Sequence, residues 1–319
     1  MPVIPSTYPG PPRLHFNGHF ETIFPSIFRK IEGVTYQRER ITTPDNDFLD
    51  LDWSDVGSNK LLIISHGLEG SSERHYVTAL VKLFNQHQFD VLAWNNRSCS
   101  GEMNINPILY HHGASYDLKT VVDYVIADYP YQEIYLAGIS MGGAQTLKYL
   151  GEEPDEIPKQ IKKAVVYSTP CNLPDSAATL GYRSNIFYKE KFLSKLKRKM
   201  AAKAEQFPGL LDTELLQRVK DFETFDTHFT AQLHGFKDAQ DFYHSASPDN
   251  WLHQINIPTL IVNALNDPLL DGACYPVELA NKRANLFLEM PKRGGHTGFA
   301  LKGYEFSWIE YRMHQFFAD

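Results

Sequence analysis

The run Glu133-Ile-Tyr-Leu-Ala-Gly-Ile-Ser-Met-Gly-Gly143 (EIYLAGISMGG) decides how this chain is read. Its first half, Glu133–Ala137, is apolar and nearly continuous, as in a strand buried on both faces. Its second half leads into a helical pattern, Ala144–Leu150. Between them stands G-x-S-x-G, Gly138 to Gly142. The five-residue pattern is common by chance, but it gains meaning when a strand precedes it and a helix follows, as here. Small residues around the serine allow a sharp turn that projects the hydroxyl of Ser140, and the helix N-terminus beneath favours developing negative charge. Ser140 is therefore the candidate nucleophile.

Similar apolar runs lie on both sides: Lys60–Ser65, Asp90–Asn95, Lys163–Ser168, Thr259–Ala264 and Asn285–Met290. Helical periodicity separates them, over Tyr76–His87 with Val77, Leu80, Val81 and Phe84 on one face, and over Leu118–Tyr129 with Ser115 as a candidate N-cap. Trp308–Phe317 closes the chain as a helix. Strand alternating with helix predicts an α/β fold with a mostly parallel, doubly wound sheet. Tyr36–Thr42 and Phe48–Trp53, flanking Pro44-Asp45-Asn46-Asp47, predict an antiparallel hairpin at its N-terminal edge. The rhythm breaks at 172–250, which reads as a helical cap insertion. The expected division is an N-terminal arm at 1–35, a core at 36–171 and 251–319, and the cap between the two core segments. Within the cap, the basic cluster Lys189–Lys203 reads as a solvated amphipathic helix face, with a membrane-surface or acidic-partner contact as the other reading.

Two further loops belong with Ser140. His66-Gly67-Leu68 follows the strand Lys60–Ser65. A glycine there lets the backbone cross the top of the sheet, so that the N–H of Leu68, with that of Met141, can form an oxyanion hole. His66 itself reads as a hydrogen-bonded packing residue. Asp267 comes first beyond the strand Thr259–Ala264, with Asp271 as a competitor. His296 lies in the glycine-rich loop Gly294–Gly298 after the last strand. The order Ser140, Asp267, His296 along the chain suits a nucleophile, an orienting acid and a general base. The chain holds 13 histidines, so His296 is chosen for its position.

Composition narrows the function. With 319 residues, 43% of them hydrophobic, a large core is available, and a formal net charge of −7 argues against a general nucleic-acid binder. Three widely spaced cysteines, Cys99, Cys171 and Cys274, form neither a disulfide scaffold nor a zinc ribbon. Met1 to Pro12 has five prolines and no basic-then-apolar signal pattern, and no apolar run approaches the ~18 residues that span a bilayer. The expectation is a cytoplasmic enzyme without a membrane span, of open oligomeric state, needing no metal or organic cofactor.

The segments NGHFETIFP (Asn17–Pro25), HGLEGSS (His66–Ser72), NNRSCSGEMN (Asn95–Asn104), YHHG…DL (Tyr110–Leu118), GISMGG (Gly138–Gly143), FDTHFTAQLHGFKDAQDFYHSAS (Phe225–Ser247), ALNDP (Ala264–Pro268) and GGHTGF (Gly294–Phe299) together resemble the YheT-type α/β-hydrolases and their eukaryotic abhydrolase domain 1 and 3 relatives. The resemblance runs nearly the whole length in order. It departs at Ala114 and Tyr116, where the family more often has acidic residues. The eukaryotic relatives carry an N-terminal membrane anchor, which is not expected here. The resemblance implies a charge relay of Ser140, Asp267 and His296 and hydrolysis of small-molecule or lipid carboxylic esters, usually with short acyl chains. Thioester hydrolysis, acyl transfer to an alcohol, phospholipid deacylation and a catalytically silent binding protein are the alternatives on the same scaffold.

Overall fold

In the computed structural model, which describes residues 3–319, nine strands form one sheet: β1 (Val3–Ile4), β2 (Gln37–Thr42), β3 (Phe48–Ser54), β4 (Lys60–Ser65), β5 (Asp90–Asn95), β6 (Glu133–Ile139), β7 (Ile161–Tyr167), β8 (Thr259–Val262) and β9 (Leu286–Glu289). Their order is β1-β9-β8-β7-β6-β4-β5-β3-β2. All neighbours are parallel except the pairings of β3 with β5 and with β2, which make one antiparallel edge. The expected sheet, hairpin included, is therefore present. The addition is β1, which pairs in parallel with β9. Two residues are too short to show a period, so this strand is set by its neighbour and not by a pattern of its own. Met1 and Pro2, part of the expected arm, lie outside the described residues.

Alternation along the strands builds two cores. Leu61, Ile63, Leu92, Trp94, Leu136 and Ile261 face one side, against α3 (Ser115–Asp128) and α4 (Met141–Glu152). Leu62, Ile64, Val91, Ala137, Val165 and Val262 face the other, against α2 (His75–Gln86) and α12 (Trp308–Ala318). Helices on both faces leave the C-terminal strand ends as the open edge for a ligand.

The N-terminal stretch carries an unexpected helix, α1 (Gly18–Phe28), whose first turn is capped by the Asn17 side chain. Between β7 and β8 run α5 (Leu173–Leu180), α6 (Ile186–Gln206), α7 (Thr213–Arg218), α8 (Phe222–Phe225), a π turn at Asp226–Thr230, α9 (Ala231–His234) and α10 (Ala239–Ala246). Leu193, Leu196, Met200, Phe225 and Phe229 from this segment pack with Leu109, Tyr110 and Met141. The short helix α11 (Val277–Lys282) precedes β9. Among the described residues no helix is long and apolar enough to cross a membrane.

Three local expectations are corrected. Ser115 does not cap α3. Ala114 holds that position, and the Ser115 hydroxyl donates to Glu152 Oε2 at 2.7 Å. The helix α4 starts at Met141, three residues before its apolar pattern, because Gly142 and Gly143 pack as helical residues against Ser65 and Thr169. The basic cluster is not a solvated face throughout. Lys203 is fully buried and donates to the Asn104 carbonyl at 2.5 Å, and burial pushes its ammonium down to about 8. Lys197 donates to the carbonyls of Gln217 and Val219. Carbonyls beneath α6 draw these lysines inward, which helical periodicity cannot reveal.

Candidate active site

Ser140 sits between the last residue of β6 and the first of α4, with φ 55° and ψ −118°. A non-glycine residue at positive φ costs about 1–3 kcal/mol and persists only where the surroundings enforce it. Here the enforcement is packing. A Cβ on Gly142 would collide with the Ser65 carbonyl, and one on Gly138 would lie 2.6 Å from Gly142 O and Gly143 Cα. The turn can therefore close only with glycine at both places, which leaves the Ser140 side chain half exposed on the open edge of the sheet.

His296 reaches it from the loop after β9. The imidazole Nε2 lies 2.9 Å from Ser140 Oγ, and Nδ1 lies 2.8 Å from Asp267 Oδ2. The Asp267 carboxylate is buried and its other oxygen accepts the N–H of Leu269 at 2.8 Å. Asp267 thus fixes the proton of His296 on Nδ1 and leaves Nε2 as an acceptor for the serine O–H. The structure brings the three expected residues into one hydrogen-bonded chain. Asp271 is outside it: its Oδ1 accepts the N–H of Gly272 at the head of a short turn.

The Leu68 loop crosses close above the serine, since a Cβ on Gly67 would lie 3.2 Å from Ser140 Cβ. Within this loop the amides of Gly67, Glu69 and Gly70 donate to Tyr76 Oη, Tyr110 Oη and the Gly67 carbonyl. The amide of Leu68 donates to no protein group among the described residues, and neither does that of Met141. Two N–H groups beside Ser140 are thus left unsatisfied, a costly arrangement unless an acceptor arrives. His66 is fully buried. Its Nε2 accepts the Asn96 N–H at 3.1 Å and its Nδ1 lies 2.8 Å from the Gly67 carbonyl. Burial lowers its pKa to about 4, so it stays neutral and serves to hold the loop.

Several residues that position His296 were not anticipated. Its N–H donates to Thr22 Oγ1 at 2.8 Å, and Thr22 donates onward to the Gly18 carbonyl at 2.6 Å. Glu21, 1% exposed, accepts from Gly294 N–H at 2.6 Å and from Asn266 Nδ2 at 3.1 Å, and pairs with Arg293. Asn266 Oδ1 accepts the Gly295 N–H at 3.0 Å. The helix α1 therefore clamps both the histidine loop and the residue before Asp267. The segment holding Glu21 and Thr22 stands out in the sequence only as part of the family resemblance, with no spacing that points to a role.

Two cavities open onto Ser140 and His296. One is mainly apolar, lined by Leu109, Leu173, Leu196, Met200, Phe192, Phe222 and Phe225, with Asp226 and Tyr243 among its polar members. The other is lined by Thr22, Arg74, His75, Phe187, Tyr188, Lys191, Lys195 and again Phe192.

Residues 60–302, more than half of the chain, match the family model of the alpha/beta hydrolase fold. The chain is 30% identical over 295 residues to the Escherichia coli (strain K12) protein named "Putative esterase YheT", covering 91% of this chain and 86% of that one. It is 29% identical over 276 residues to the Bos taurus "Phospholipase ABHD3", covering 83% of this chain and 67% of the relative. The solved structure of the Pyrococcus furiosus esterase Pf2001 superposes with a TM-score of 0.60 at 20% identity, over 98% of this chain and 97% of that one, a likeness of fold alone. With the strand–serine–helix turn in place and the match running from β4 to the loop after His296, the chain belongs to the α/β-hydrolase family, on its YheT-type branch.

Proposed function

We propose that this chain is a serine hydrolase that cleaves carboxylic esters through an acyl-enzyme. The observation that carries the reading is the continuous contact from Ser140 Oγ to His296 Nε2 and from His296 Nδ1 to Asp267 Oδ2, at 2.9 and 2.8 Å. In this reading Ser140 attacks the ester carbonyl as its proton passes to His296 Nε2. Asp267 stabilises the resulting imidazolium, and the amides of Leu68 and Met141 hold the tetrahedral oxyanion. His296 then gives the proton to the departing alkoxide. Water, deprotonated by the same histidine, attacks the acyl-serine and releases the acid. The names of the two relatives, an esterase and a phospholipase, agree with ester chemistry.

In the same reading residues 172–250 act as a cap on the core of 36–171 and 251–319. The apolar cavity takes the acyl chain, since α5, α6, α8 and α10 together supply most of its aliphatic and aromatic lining, with Leu68, Leu109, Leu269 and Leu270 among the core's contribution. The stretch 1–35 serves as an arm whose helix α1 steadies the histidine loop.

Labelling by a fluorophosphonate and hydrolysis of p-nitrophenyl butyrate test the proposal together. Wild type should show both and Ser140→Ala neither, a loss of ~10⁴–10⁶ in rate. Asp267→Asn should lower the rate by about three to four orders of magnitude, because an amide stabilises the wrong histidine tautomer. Substantial turnover by Ser140→Ala, or greater damage from Asp271→Asn than from Asp267→Asn, would overturn the assignment.

A further inference from the structure

The second cavity at Ser140 is cationic. Arg74, at the head of α2, and Lys191 and Lys195, on α6, all line it. Arg74 Nη2 and Lys195 Nζ donate to the same acceptor, the Glu69 carbonyl oxygen, at 2.7 and 3.3 Å. The Glu69 carboxylate is turned the other way, onto Lys199 Nζ at 2.9 Å and the Tyr110 hydroxyl. Glu190, beside Lys191, is paired with Lys189 at 3.9 Å. Among the described residues no carboxylate forms an ion pair with Arg74, Lys191 or Lys195. Burial, and after it the charge of Arg74, holds both lysine ammoniums below their ordinary value. Arg74 and Lys195 are half-buried and Lys191 is exposed at the rim, and the Glu69 carboxylate, engaged with Lys199, offsets the charge of Lys195 only in part. Like charges gathered in this way destabilise one another, and a bound anion relieves this.

We propose that Arg74, Lys191 and Lys195 form a subsite for an anionic group, a phosphate or a carboxylate, carried on the alcohol portion of the ester. The inference rests on the acyl-transfer reading of Ser140. With the acyl chain in the apolar cavity, the alcohol is left to the cationic one. His296 borders both cavities, so it can protonate an alkoxide leaving on that side. A guanidinium can grip two oxygens of a phosphate or carboxylate, and two ammoniums beside it add point charges.

The test compares three esters sharing a butyryl group: monobutyrylglycerol, its glycerol phosphate counterpart and the butyryl ester of glycerate. Wild type should cleave an anionic ester with kcat/KM about tenfold or more above the neutral one, as hydrogen bonds to charged groups allow. The preference should shrink as salt screens it. The better anionic substrate identifies the group as phosphate or carboxylate. Arg74→Gln, Lys191→Gln and Lys195→Gln should each lower the anionic-to-neutral ratio severalfold, with fluorophosphonate labelling confirming a folded site. Equal or better cleavage of the neutral ester at low salt overturns the subsite and leaves the serine hydrolase intact. So do variants that depress all three esters in proportion. No cleavage of any ester, with Ser140 unlabelled, overturns the underlying reaction as well.

Discussion

The backbone N–H of His296 donates to the hydroxyl of Thr22 across 274 residues of sequence, at 2.8 Å. One turn of α1 thus fixes where the imidazole stands, while the neighbouring Glu21 fixes the backbone of Gly294 through an acceptor contact at 2.6 Å. Thr22→Val keeps the side-chain shape but leaves the His296 amide without its partner. A single neutral hydrogen bond is worth about 1 kcal/mol, so kcat should fall roughly fivefold to tenfold. Thr22 also borders the cationic cavity, but its hydroxyl is engaged with the Gly18 carbonyl and the His296 N–H, so KM should change little, and Thr22→Ser should restore most of the rate. If KM carried the loss, or if serine failed to rescue, Thr22 would not be a positioning residue for the histidine.

The strained backbone at Ser140, φ 55°, sets function against stability. Ser140→Ala removes the hydroxyl but keeps the Cβ in its strained setting. Ser140→Gly removes both, and glycine occupies positive φ at little cost. Both variants should be inactive and unlabelled. Ser140→Gly should be the more stable of the two by about 1 kcal/mol, read from denaturant midpoints. Equal midpoints would mean that the turn stores no strain that a Cβ feels.

How far the sequence reveals this molecule depends on whether the signal is local. All six expected parallel strands, the hairpin and the turn around Ser140 follow from period and from glycine placement, and their observed limits differ by a few residues at most. The run Asn285–Met290, for one, is observed as Leu286–Glu289. Ser140, Asp267 and His296 are legible because each follows a strand tip in a recognisable setting. Glu21 and Thr22 are not, since their partners lie 273 and 274 residues away and α1 has no period tied to the sheet. The aromatics between α5 and α10 show the same limit. Phe192, Phe222 and Phe225 line the apolar cavity, Phe187 and Tyr188 line the cationic one, and Tyr182, Phe207 and Phe229 line neither, though all eight look alike in composition. Lys203 is the sharpest case, a lysine in a basic run that is fully buried because a carbonyl waits beneath it.

Asp226 should leave a mark on the pH dependence of stability. It lies on the π turn, accepts hydrogen bonds from Thr230 at 2.7 Å and Tyr243 at 2.8 Å, and burial raises its pKa from 3.8 to about 6. Between these values the folded state holds a proton that the unfolded chain has released. The contribution of this site therefore falls as pH rises through that window, and is least favourable above it. Neighbouring His112 and His234 slope the other way, because burial lowers each from 6.5 to about 4 and the unfolded chain binds more protons between those values. The comparison of wild type with Asp226→Asn isolates the carboxyl. The stability of the variant relative to wild type should rise as pH increases from about 4 to about 6 and then level off. Parallel curves across that range would show that Asp226 titrates normally.

The last prediction concerns what the apolar cavity measures. Phe222 and Phe192 are both half-buried, so truncating them should spare the fold better than truncating Phe225, which is 1% exposed and belongs to the core of the helical segment. Of the two cavities at Ser140, Phe222 lines the apolar one alone, whereas Phe192 lines both. If the acyl chain occupies the apolar one, Phe222→Ala should shift the optimum toward longer chains, with up to about 0.8 kcal/mol, or roughly fourfold in kcat/KM, for each methylene newly accommodated. Phe192→Ala should alter acyl preference and also change discrimination between alcohols for a fixed acyl group. Phe207→Ala serves as the internal control, because Phe207 borders neither cavity and instead stacks near the Lys203 ammonium, 5.7 Å from its ring centre. The measurement is kcat/KM over p-nitrophenyl esters of increasing length for wild type and the three variants. A shift in Phe222→Ala with none in Phe207→Ala ties chain-length selection to this cavity. An unchanged profile in a folded, labelled Phe222→Ala would mean that the acyl chain lies elsewhere and that residues 172–250 do not shape it.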